Sequence, residues 1–165
     1  MIPVTLHNVF SNGERGEAWL VLAEESGRHG LPIFVGSDLK LTILEFFMKK
    51  PRPLKNPRPL TYTFFASILK AVGAELTEVQ VVELVDNTFR AVAVVRARES
   101  EYRIDARPSD AVALAACMNR PIYVTEALMA AAGKPLGAEG RPPDLPQGFV
   151  SMRGLWSNDA ETNAP

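Results

Sequence analysis

The stretch "LTEVQVVELVDNTFRAVAVVRARESEYRIDARPSDAVALAACMN", residues 76–119, decides the fold. Three strand-like runs, "LTEVQVVELV", "FRAVAVVRAR" and "EYRIDA", are separated only by "DNT" and "ES". Connections that short leave room for hairpins alone, so turn length predicts an antiparallel meander. In the middle run Phe89, Ala91, Ala93 and Val95 alternate with Arg90, Val92, Val94 and Arg96, so both faces of that strand are largely covered. The alanine-rich run that follows has helical character, and the meander meets it at Asp105-Ala106-Arg107-Pro108-Ser109-Asp110.

That joint supports two readings. Pro108 holds Arg107 out of the helical region and itself suits a first helical turn. Ser109 and Asp110 come next, where backbone N–H groups have no intrahelical partner and a carboxylate complements the helix dipole. Strand alternation puts Asp105 and Arg107 on one face. Read as architecture, Asp110 reaches back to the helix start and Asp105 pairs with Arg107. Read as a site, the free N–H groups beside Arg107 suit a phosphate. Asp105 and Asp110 are then hard oxygen ligands for Mg²⁺ or Mn²⁺. A cation there would polarise a phosphodiester and lower the pKa of bound water, while arginine stabilises the developing charge. This second reading makes Asp105, Arg107 and Asp110 catalytic and Ser109 substrate-binding. Arg58, ahead of another predicted helix start, adds a second guanidinium.

Upstream, "VTLHNVF" and "AWLVLAEE" read as strands joined through "SNGERGE", where Asn12-Gly13 supplies turn chemistry. "SGRHG" turns the chain into "LPIFVG", a short strand ended by Gly36. Ser37 is a candidate N-cap for a helix to about Lys50, with Leu41, Leu44, Phe47 and Met48 on one face and Pro51 and Pro53 as its stop. "KKPRPLKNPR", residues 49–58, is a stiff connector with five basic residues and no acidic one. It is either a solvated loop or a phosphate contact. Thr61 is expected to cap the next helix, whose apolar stripe is Phe64, Phe65, Ile68, Leu69 and Val72, with Gly73 at C′.

Downstream, "PIYV" reads as one more short strand, and Thr125 opens a last helix, "EALMAAAG", closed by Gly133. Residues 1–133 therefore predict a single α+β domain, a mixed, largely antiparallel sheet with packed helices. From residue 134 to 165 the chain is rich in Pro and Gly and lacks periodicity, which predicts a mostly irregular tail. Phe149, Met152, Leu155 and Trp156 are its candidates for docking on the domain or on a partner.

Several function classes fall away. The net charge of −1 opposes bulk electrostatic attraction to nucleic acid, so any such contact must be local. No apolar run approaches the ~20 residues of a membrane span. "MIPVTLHNVF" lacks the basic and apolar regions of a secretory signal. One cysteine, Cys117, permits no intramolecular disulfide, fits a reducing compartment and suits a packed helix position better than a nucleophile. His7 and His29 are isolated, which opposes zinc, and no glycine-rich phosphate loop or Gly-x-Ser-x-Gly is present. These features predict a cytoplasmic protein.

Taken in order, "LPIFVG", "RPLT" before a helix, "DNTFRA", "IDARPSDAVALA" and "PIYV" resemble the bifunctional nuclease family over residues 2–133. The Asp-Ala-Arg-Pro-Ser-Asp-Ala element is the most specific part. The resemblance implies a compact domain that tends to dimerise and a nuclease acting on RNA and DNA. Family members commonly read Arg-Pro-x-Thr-His-Asp where this chain has Arg58-Pro59-Leu60-Thr61-Tyr62-Thr63. They often read Ile-Gly-x-x-Glu-Ala where it has Val35-Gly36-Ser37-Asp38-Leu39-Lys40. Those departures keep a second expectation in play, a non-catalytic dimeric binding or regulatory module of the same fold.

Overall fold

The computed structural model describes residues 1–13, 16–35 and 58–153. The expected helix from Ser37, the position of Leu39, the connector up to Pro57, and Leu155 and Trp156 lie outside the described residues.

Three antiparallel strands open the chain, β1 (Ile2–Ser11), β2 (Ala18–Glu24) and β3 (His29–Val35). Helix α1 (Thr61–Ala71) leads into the meander β4 (Ala74–Val85), β5 (Thr88–Ala97) and β6 (Ser100–Ala106). Helix α2 (Pro108–Met118), strand β7 (Ile122–Val124) and helix α3 (Glu126–Ala132) follow. Two-residue strands β8 (Lys134–Pro135) and β9 (Val150–Ser151) flank a 3₁₀ turn at Ala138–Gly140. The sheet runs β6-β5-β4-β7-β1-β2-β3-β8, with β9 on β1. Every pairing is antiparallel except β4 with β7, which makes the sheet mixed and the domain α+β, as alternation and turn length predict. No helix among the described residues is long and apolar enough to cross a membrane.

The first meander turn follows from its residues. Val85 pairs with Thr88, leaving Asp86 (φ 47°) and Asn87 (φ 59°) as a two-residue turn in the left-handed region that short polar side chains tolerate. The second turn is Arg98-Glu99, one residue earlier than "ES", because Ala97 pairs with Ser100. β7 seats its three residues between β4 and β1 and so joins the meander to the N-terminal strands.

The main core lies between the sheet and the helices. Leu20, Leu22, Leu76, Val79 and Val81 are fully buried, as are Val112, Ala113 and Ala115 of α2. Small side chains let α2 lie close on β4 and β5. Thr125 caps α3 as expected, accepting from the Leu128 N–H at 3.3 Å.

Helix α1 departs from expectation in two ways. Its N-cap is Leu60, with no side-chain cap, and Thr61 is the first helical residue. Of the predicted stripe only Leu69 is buried, while Phe64 is 58% and Val72 68% exposed, and Phe65 and Ile68 are exposed as well. α1 touches α2 and β4 along one narrow line, Tyr62 and Leu69 at i and i+7. The periodic stripe is wider than that line, so the rest faces outward. Gly73 takes C′ with φ 69°, as predicted.

Between β8 and β9 the chain covers part of the sheet face opposite the main core. Leu145 and Phe149 bury against Phe10 and Val21 there. Buried Asn8 fastens them, donating from Nδ2 to the Glu139 carbonyl at 2.7 Å and to Ser151 Oγ at 2.9 Å. Gly140 presses on the His7 ring so closely that a Cβ would sit 2.3 Å from it.

Candidate functional site

The two helix starts that the sequence marks out meet in space. Tyr62, the second residue of α1, donates from Oη to Asp110 Oδ1 at 2.5 Å. Arg107, the N-cap of α2, donates to the same carboxylate from Nε to Oδ2 at 2.5 Å and from Nη2 to Oδ1 at 3.0 Å. Asp110 thus accepts three bonds of the roughly four its carboxylate can take. Burial pushes its pKa up, but the hydrogen bonds from Arg107 and Tyr62 and the charge of Arg107 outweigh that and hold it below the usual value. Burial first, then the bond to Asp110 and its charge, pushes the Tyr62 phenol well up, so it stays a neutral donor. The bond to Asp110, with its charge, also raises Arg107, which remains a fixed cation.

The expected partnerships at the joint are therefore redistributed. Asp110 does not cap the α2 backbone, and the helix has no side-chain cap. Asp105 does not pair with Arg107. β6 ends at Ala106 and the chain turns into the helix at Arg107, so strand alternation no longer aligns the two side chains. Asp105 instead accepts from Arg90 Nη2 at 3.2 Å, and Arg90 Nη1 reaches Glu83 Oε1 at 3.0 Å. This exposed ladder crosses β4, β5 and β6.

Arg107, Pro108 and Ser109 line one part of a groove of about 480 Å³. One wall is Ile33, Phe34 and Val35 of β3 with Trp19 of β2; another is Asn87, Thr88 and Phe89 at the β4–β5 turn. The first N–H of α2 with a helical partner is that of Ala111, bonded to the Arg107 carbonyl at 3.0 Å. Ser109 is only 9% exposed, and its hydroxyl has no partner among the described residues. Arg58 is exposed, two residues ahead of the α1 N-cap, and makes no hydrogen bond or ion pair among the described residues.

For a divalent cation the described residues offer no group of three or more His, Cys, Asp or Glu. Asp105 and Asp110 have separate partners. They do not form a protein cage, and a hard cation here would take most of its ligands from phosphate and water.

The bifunctional nuclease domain model matches residues 20–137 of this sequence, well over half of it. The chain belongs to the bifunctional nuclease domain family. It is also 37% identical over 115 residues to two uncharacterized proteins of Mycobacterium tuberculosis strains, MT1877 and Rv1829. That match covers 69% of this chain and 65% of each relative, so the chain spans just under two thirds of the length of the curated relatives it matches.

Within this bifunctional nuclease domain, sequence reasoning missed four contributors. Tyr62 reads as the loss of a histidine, yet it supplies a hydrogen-bond donor to Asp110 from the same position. Its place in the first turn after Arg58-Pro59 was the available signal. Trp19, Phe34 and Phe89 read only as strand residues. Alternation already puts Phe34 on the opposite face from Ile33 and Val35, and that is how its ring comes to be exposed.

Proposed function

We propose that this domain binds RNA and DNA at the start of α2 and hydrolyses their phosphodiester bonds with the help of a divalent cation. One observation carries the reading: Arg107 and Ser109, whose hydroxyl has no partner among the described residues, line a groove at a helix N-terminus, where backbone N–H groups and the dipole favour phosphate. Arg107 is the phosphate clamp. Asp110 fixes its guanidinium from one edge and leaves Nη1 and the other N–H groups for a ligand. Ser109 adds a donor, and Arg58, two residues ahead of the neighbouring α1 N-cap, supplies a second cation to the same approach.

Mg²⁺ or Mn²⁺ is held in this reading by Asp105 and Asp110 together with phosphate oxygens and water. Bound there, it would supply charge neutralisation and a lowered water pKa. Asp105 is the more open of the two, with a side chain 72% exposed. The lone cysteine and the family resemblance go with a cytoplasmic homodimer. The outward face of α1, with Phe64, Phe65, Ile68 and Val72, is the surface a second copy would cover.

A second reading has its own observation. Every carboxylate of the joint is engaged by an arginine, and Asp110 by Tyr62 as well, which suits a binding module as much as an enzyme. The test is to purify the wild type, Asp105→Asn and Arg107→Ala, confirm folding, and assay single-stranded RNA and DNA with Mg²⁺, Mn²⁺ and EDTA. Hydrolysis that EDTA and both substitutions abolish is the expected result. Binding without hydrolysis would favour the module, and activity unchanged by both substitutions would sink the catalytic assignment.

A further inference from the structure

The groove beside Arg107 holds more than a phosphate needs. At about 480 Å³ it falls within the roughly 300–1,000 Å³ of small-molecule sites, far too small for a duplex. Its walls are aromatic on two sides, Phe34 with Trp19 on the strands and Phe89 beside Asn87 at the β4–β5 turn. The Phe34 ring is 51% exposed, although a strand residue of this length ordinarily finds a packing partner on its face. It is nevertheless held in place, edge-on to Trp19 with ring centroids 5.5 Å apart and planes at 69°. A half-exposed ring held by an aromatic neighbour is the element that single-strand binders use for stacking bases, and stacking is available to every base. At the polar end Ser109 is nine-tenths buried, its hydroxyl has no partner among the described residues, and Arg107 stands next to it.

We infer that this groove takes one unpaired nucleotide of a strand, its base against Phe34 and its phosphate on Arg107, Ser109 and the α2 N-terminus. The inference rests on the phosphate reading above and adds to it a substrate class, single-stranded over fully paired nucleic acid. A duplex keeps its bases stacked inside and cannot present one to Phe34 unless a nucleotide is extruded. Asn87, on the groove wall with Phe89, carries an amide of the kind that can read a base edge, whereas contacts from Ser109 and Arg107 to phosphate carry no sequence information.

The test is equilibrium binding by fluorescence anisotropy to the full chain in EDTA, which prevents cation-dependent cleavage during measurement. Three labelled ligands of equal phosphate count are compared: a single-stranded oligonucleotide, its abasic sugar–phosphate counterpart, and a blunt-ended, fully paired duplex of two strands. Phe34→Ala removes an exposed ring and leaves the core intact. It is expected to weaken binding of the single strand about tenfold, the lower-middle of the range for losing one base stack, and to leave the abasic strand unchanged. Phe34→Tyr, which keeps a ring face, is expected to restore it. Arg107→Ala should weaken the single strand and the abasic strand together. Equal loss on both ligands with Phe34→Ala, no loss at all, or a blunt duplex bound as tightly as the single strand overturns the nucleotide pocket while leaving the phosphate site standing. No effect of Arg107→Ala on either strand, or no binding of any ligand, overturns the phosphate site as well.

Discussion

The bond from Tyr62 to Asp110 ties α1 to the start of α2 by a polar group, and removing its hydroxyl isolates its worth. Tyr62→Phe keeps the ring that packs against the main core, so no burial is lost. What goes is a hydrogen bond to an ionised acceptor, a class that contributes about 1.5–3 kcal/mol net. Asp110 keeps its fork with Arg107 and is 29% exposed, so water takes the vacated position and the lower end applies, about 1.5 kcal/mol.

The pH dependence gives the estimate a sharper edge. The folded pKa of Asp110 lies below its unfolded value, so its stabilisation is present above the unfolded pKa and fades as pH falls through the folded one. Tyr62 is one of the groups holding that pKa down, so Tyr62→Phe raises it and shrinks the acid-sensitive part of the stability. Urea unfolding at a series of pH values from about 2.5 to 7 should therefore show a gap between wild type and variant that widens through the carboxylate range and is level above about pH 5. A gap that is constant over this range, or no gap at neutral pH, refutes the assignment of Tyr62 as a donor to an ionised Asp110.

Other outcomes follow from the same physics. Asn8→Ala removes two donated bonds and the bonds Oδ1 accepts from Val9 N at 2.7 Å and Ser151 Oγ at 3.4 Å, at a fully buried residue, and should cost about 2–3 kcal/mol. Hydrogen exchange should place the extra opening at the Met152 amide, which bonds the Val9 carbonyl, before it reaches β5. His7 has its pKa lowered by burial first and by Arg153 second, so the unfolded chain binds its proton more readily. Stability should fall as pH drops below about 6.5, and His7→Gln should flatten that slope in denaturant titrations. Asp105→Asn breaks only an exposed ladder worth about 0–1 kcal/mol, so its melting temperature should move by no more than about 4 °C. A spectrophotometric titration should show a tyrosine step held above the ordinary phenol range, and Tyr62→Phe should abolish that late step.

The meander was legible because each of its signals is local. Alternation, Asp86-Asn87 and the short turns leave little choice of pairing, and Pro108 fixes where the strand ends and α2 begins. The pairings of Asp105 and Asp110 were not legible, because they depend on what arrives from elsewhere in the chain. Arg90 reaches Asp105 from the neighbouring strand, and Tyr62 reaches Asp110 from a helix 48 positions away. The outward face of α1 shows the same limit from the other side. A periodic apolar stripe reports that a helix has one greasy face, and only the fold reports how much of that face is covered.

Tyr62, at the position where the family resemblance leads one to expect histidine, also constrains any chemistry at this site. An imidazole exchanges a proton near neutrality, whereas a phenol pushed above its ordinary pKa donates a hydrogen bond and keeps its proton. Asp110, held below the usual carboxylate range by two donors, is a weak base for the same reason. The trio of Tyr62, Asp110 and Arg107 is thus rigid and charge-balanced, well made for orienting a guanidinium toward phosphate and poorly made for moving protons. If the domain cleaves a phosphodiester, the group that activates water stands outside that trio; in the function proposed above that group is Asp105, which is exposed and accepts from Arg90. Arg107→Ala should then impair binding and turnover together, while Asp105→Asn should lower turnover and leave single-strand affinity in EDTA unchanged. Loss of affinity with Asp105→Asn would contradict this division of roles.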